Sequence, residues 1–189
     1  MKQVYILLSK TGTIPSRLIH RLTGGAFTHV SIALAPKTDR FYSYARRALR
    51  NPLNAGLIVE DLHSFVFALY PDCPCVLYSV EISDEAYEKI KQRLQYYLKN
   101  YRRARYNFLG IIPLRLGIRI RQEFRLVCSQ FVALMLKESD EIQLPKDPYL
   151  MLPVDFQKIR NIQKIYAGSL KNCNFDAITV SSVEKSAVC

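Results

Sequence analysis

The chain predicts an α+β fold, on three observations. Short strand-like runs of aliphatic and aromatic residues recur between Val4 and Ile82. A strong helix start follows at Ser83, and a second helical stretch opens at Cys128, after a run that reads as extended. The 189 residues suffice for one domain with a sizeable core, and 49% hydrophobic against 23% charged residues excludes a disordered chain.

Val4 to Ser9 reads as a short buried strand, and Thr11-Gly12-Thr13 as a turn. Pro15 suits the first turn of a helix running to Leu22, with Leu18, Ile19 and Leu22 on its apolar face and Gly24-Gly25 at its end. Thr28 to Leu34 alternates, which puts Val30, Ile32 and Leu34 toward the core and His29, Ser31 and Ala33 on the other face. Phe41 to Arg46 is the expected partner strand. Leu57 to Leu62 and Val76 to Ile82 read as two more.

Ser83 is a capping hydroxyl, and Asp84 and Glu85 complement the positive end of a helix dipole. Tyr87, Ile90, Leu94 and Tyr101 then recur at helical spacing, ahead of a basic end. Tyr106 to Gly117 is expected to be irregular, with Pro113 inside it, and Ile118 to Leu126 extended. The helix opened by Cys128 runs to about Glu138. Pro145, Pro148 and Pro153 make a rigid loop before a short helix at Pro153, and Ile162 to Tyr166 reads as a last strand. Periodicity is lost from Gly168, so residues 1–167 are expected to form the domain and 168–189 a tail that is loosely docked or disordered.

The net charge of +11 attracts anionic partners without choosing among them. No nucleic-acid motif accompanies the basic residues, so specific nucleic-acid binding is not expected. The five cysteines, at 73, 75, 128, 173 and 189, are odd in number and irregular in spacing. No secretory pattern opens the sequence, and no apolar run reaches the roughly 18 residues of a membrane span. The expectation is a cytoplasmic protein with reduced thiols. Cys73-Pro74-Cys75 lacks the second pair that a zinc ribbon needs, and His63 stands alone, so neither a metal nor a cofactor is expected. His20, beside Arg21, is expected on the surface.

Chemistry concentrates on Cys128. A thiol at a helix N-terminus meets unpaired N–H groups and the positive end of the dipole, which favour a thiolate nucleophile. Its natural base is His29, at the start of a strand far upstream. An antiparallel sheet packed against the helix that carries the cysteine brings the two together. A buried cysteine that serves only as a small hydrophobe is the alternative.

The pattern Thr28-His29-Val30-Ser31-Ile32-Ala33-Leu34, then Phe41-Tyr42-Ser43-Tyr44, then Val127-Cys128-Ser129-Gln130-Phe131-Val132 resembles the circularly permuted, YiiX-like branch of the NlpC-type papain-like superfamily. There His precedes Cys, as here. The resemblance covers Val4 to Tyr166 and implies a papain-like α+β fold, with Cys128 as nucleophile and His29 as base. It also implies a third site residue on the strand after the histidine strand. That stretch offers Ser43, with Tyr44 beside it, and no carboxylate. Glu60 or Asp61, on the next strand, is the alternative on chemical grounds. The Cys128 backbone N–H supplies part of an oxyanion hole, while Gln130 is expected as a surface amide.

Relatives in this superfamily act on cell-wall peptides or lipid esters, which implies a small-molecule, peptide or lipid substrate; an anionic membrane surface is a further candidate partner. Arg119, Arg121 and Arg125 share one face if their run is extended, and Arg121 and Arg125, with Tyr44, are the candidate substrate-binding residues. A solvated basic face is the alternative for the arginines. Arg46, Arg47 and Arg50 form a second basic cluster. The second reading of the whole is an inactive papain-like binding module for an anionic lipid or other polyanion.

Overall fold

The computed structural model describes residues 1–10, 24–34, 40–48, 51, 54–61, 67 and 69–173. The helix expected over Pro15 to Leu22, His20, His63, Arg50 and the sequence beyond Cys173 lie outside them.

The fold is α+β, built on a six-stranded sheet of β1 Lys2–Ser9, β2 His29–Ala33, β3 Arg40–Arg46, β4 Ala55–Asp61, β5 Pro74–Ile82 and β8 Gln163–Ser169. The strands lie in the order β4-β3-β2-β1-β5-β8, with every neighbouring pair antiparallel. Two two-residue strands, β6 Arg105–Tyr106 and β7 Arg125–Leu126, pair in parallel as a separate ribbon. The α-helices among the described residues are α1 Asp84–Lys99, α2 Ile111–Arg115 and α3 Cys128–Lys137. Among the described residues no helix is long and apolar enough to cross a membrane.

The central strand β1 is buried on both faces, which is why Val4 to Leu8 reads as a continuous apolar run rather than an alternating one. Val4, Ile6 and Leu8 join Val30, Ile32 and Tyr44 in the main core, closed by Ile90 and Leu94 of α1 and by Phe131 and Val132 of α3. Tyr5 and Leu7 enter a second core on the opposite face, with Phe41, Leu77, Leu170 and Cys173. Strand β8 thus runs past Gly168 to Ser169, and Leu170 and Cys173, just beyond it, are packed in that second core.

Ser83 caps α1 by accepting from the Ala86 amide at 3.1 Å. The Tyr106–Gly117 stretch holds the five-residue helix α2, and Pro113 is tolerated because it sits in the first turn, where its missing N–H has no helical partner. Ile118 to Phe124 is not a strand: only Arg125–Leu126 pairs.

Arg47 fastens the segment after α1 to the sheet. Its Nη2 donates to the carbonyls of Tyr101 at 2.7 Å and Ala104 at 2.8 Å. Gly56 makes that approach possible, since a Cβ there would lie 2.0 Å from the Ala104 oxygen. Gly56→Ala is expected to cost about 1–3 kcal/mol, because a backbone carbonyl must shift. Urea unfolding checks this, and an unchanged midpoint would show that the approach is not a constraint.

Candidate active site

The site assembles where three elements begin or end. Cys128 is the first residue of α3, His29 the first of β2, and Glu60 the last but one of β4. Helix α3 starts there because β7 delivers an extended chain to Val127 and the amphipathic sequence from Cys128 buries Phe131, Val132 and Met135. Its start is fixed by Gln130, whose Oε1 accepts from the Val127 amide at 3.1 Å and whose Nε2 donates to the Tyr149 carbonyl at 3.0 Å. Gln130 is therefore a buried cap and tether, not a surface amide.

The Nε2 of His29 lies 2.7 Å from Oε1 of Glu60. The Cys128 side chain lies near enough to the imidazole to raise its pKa as well. Burial opposes a charged imidazole, but the Glu60 carboxylate and the neighbouring Cys128 prevail, and hold His29 well above its ordinary range. The site is nearly enclosed: Cys128 is 3% exposed, the His29 side chain 14%. The second carboxylate oxygen of Glu60, Oε2, is buried and accepts no hydrogen bond among the described residues. That concentrates the carboxylate's pairing on the imidazole.

Ser43 is fully buried and its hydroxyl donates to the Val30 carbonyl at 2.7 Å. The hydroxyl is committed to the backbone, and the group at His29 Nε2 is Glu60. Tyr44 is enclosed in the core with its ring against Phe131, at 5.2 Å between centroids, and burial raises its hydroxyl pKa. Arg121 and Arg125 are exposed, and Arg119 pairs with Asp147 at 3.0 Å.

The sequence reading missed Tyr106. It sits on β6, registered beside Leu126 of β7, two residues before Cys128. Its hydroxyl lies near the Cys128 side chain; burial first, then the interaction with Cys128, push its pKa well up, so it remains neutral. A two-residue strand leaves no periodic signal, and only the parallel pairing reveals the residue.

The remaining described thiols lie elsewhere. Cys73, Cys75 and Cys173 are buried together in the second core, and all are free. Among the described residues no cluster of His, Cys, Asp or Glu is arranged to hold a metal ion.

An imidazole paired with a carboxylate, with a thiol, a neutral hydroxyl and a helix N-terminal amide close by, forms an arrangement able to activate a thiol and stabilise an oxyanion. No protein-family model matches the chain, and neither does any curated protein.

Proposed function

We propose that this protein is a cysteine hydrolase or acyltransferase of permuted papain-like architecture, acting on an amide or ester of a small-molecule, peptide or lipid substrate. The Glu60–His29–Cys128 grouping carries the reading. His29 takes the thiol proton while Glu60 holds the ring and stabilises the imidazolium. The sulfur attacks the carbonyl carbon, and the Cys128 amide and Tyr106 hydroxyl receive the developing oxyanion. His29 then protonates the leaving group, which departs and leaves an acyl-enzyme on Cys128. Water or an acceptor hydroxyl or amine attacks the thioester, gives its proton to His29 and restores the thiol.

The four described cysteines are free, which fits a reducing compartment, and we assign the protein to the cytoplasm on that basis. A second reading, an inactive shell that binds polyanions, draws on the near-complete burial of Cys128. It is weakened by Glu60, which supplies the carboxylate that the Ser43 strand lacks.

A p-nitrophenyl ester tests the proposal. Wild type is expected to release a burst of nitrophenolate equal to the protein present, with the acyl group recovered on Cys128 by mass spectrometry, and Cys128→Ala to give none. Tyr106→Phe is expected to slow the burst by about 10²–10³-fold, the size of a lost oxyanion donor. No burst from wild type, with the ester hydrolysed no faster than by buffer, would favour the inactive shell.

A further inference from the structure

We propose that the segment from Leu109 to Arg121 is a docking element for an anionic lipid bilayer, and that it holds the Cys128 site at the membrane surface. For its bearing on catalysis the inference rests on the hydrolase reading above; the docking itself does not.

The segment divides its apolar residues between two jobs. Ile111 and Leu114 of α2 point inward and pack with Val127, next to the nucleophile. Leu109 (79%), Leu116 (69%), Ile112, Ile118 and Ile120 are exposed. The other exposed large apolar residues described are scattered singly, which is ordinary; five within a dozen positions is not. Exposed Arg115, Arg119 and Arg121 are interleaved with them, and no acidic residue occurs between Tyr106 and Gln122. Arg119 gives one nitrogen to Asp147 at 3.0 Å.

The backbone suits insertion. The Gly110 amide donates to Asn107 Oδ1 at 3.0 Å, and the Leu114 amide to the Gly110 carbonyl at 3.1 Å, so the base of the segment is fixed. Gly117, at φ +72°, turns the chain between Leu116 and Ile118, a conformation glycine adopts without strain.

Charge and pattern select the occupant. A protein groove reads a regular helical ridge, and strand addition needs a free ladder; this irregular alternation offers neither. A bilayer interface needs no register. Apolar tips enter the acyl boundary while guanidinium groups remain with the phosphates. The net charge of +11 has the sign that anionic headgroups attract.

Flotation of the full chain with vesicles tests this, using phosphatidylcholine alone and phosphatidylcholine mixed with phosphatidylserine. Binding is expected to be at least about tenfold tighter to the anionic vesicles and to weaken with salt. Leu109→Asp with Leu116→Asp is expected to weaken it by at least about a hundredfold. Arg121→Gln is expected to weaken it about fivefold. Thermal melts establish that the variants are folded, and Leu109→Ser with Leu116→Ser carries the test if the aspartates unfold the chain. Cys128→Ala is expected to float as wild type does.

Absence of flotation overturns the proposal, as does wild-type flotation by the folded leucine variants. Self-association abolished by those variants, without flotation, would assign the face to a second copy of the chain. An ordinary Cys128 thiol in a protein that floats would remove the hydrolase and keep the docking; a reactive thiol without flotation would do the reverse.

Discussion

Glu60→Gln is expected to lower the rate of Cys128 acylation by about 10⁴-fold, the loss that follows when a carboxylate that orients a catalytic imidazole becomes an amide. The substitution keeps size and an oxygen acceptor but removes the charge 2.7 Å from His29 Nε2. That charge, acting against burial, helps keep the imidazole protonated. The same pair acts on stability. The folded-state pKa of His29 lies above its unfolded value of about 6.5, so the pair's contribution is fully present below that pH and is lost as pH rises through the folded value. Wild type should therefore exceed Glu60→Gln in urea resistance most clearly at acid pH, and the gap should narrow as pH rises. A gap that widened with pH would assign the wrong charge state to the pair.

Phe131→Ala is expected to destabilise the fold by about 3–5 kcal/mol, a large share of a typical domain's stability. Phe131 is fully buried, with ring centroids 5.2 Å from Tyr44 and 5.5 Å from Tyr97. It joins α3 to the sheet and to α1 one turn from Cys128. Its loss should also blunt thiol reactivity, because the helix N-terminus that carries Cys128 loses its anchor. Urea unfolding and alkylation of the same sample check both effects; normal reactivity beside the lost stability would show that Gln130 and β7 alone position the nucleophile.

The α+β class was legible because its elements are strongly patterned. The Ser83 cap with the spacing of Ile90 and Leu94 marks α1, and the amphipathic run from Cys128 marks α3. Strand β1 was legible as a buried run because both of its faces are covered. The stretch from Ile118 misled because arginine and isoleucine alternate there as they would in a strand, yet the apolar members remain at the surface.

Within the site, the residue types were more legible than their partners. Ser43 occupies the strand position that the resemblance favours, but the nearby Val30 carbonyl takes its hydroxyl. Glu60 was suggested only by its chemistry, since one-dimensional spacing says nothing about how strands curve to bring it to His29. Tyr106 had no signal at all, because its position depends on a ladder two residues long. Arg47, a member of the second basic cluster, is occupied in fastening Tyr101 and Ala104 to the sheet.

The rate of Cys128 alkylation by iodoacetamide against pH, in wild type and in His29→Ala, decides whether Cys128 and His29 form a working pair. His29→Gln serves as a companion, because removing the imidazole leaves Glu60 buried without its partner. A working pair gives a fast rate on a plateau that extends well below the free-thiol pKa of about 8.5, and both variants lose that plateau. A slow rate that rises only near that pKa and is unchanged in the variants would make Cys128 and His29 packing residues of an inactive shell.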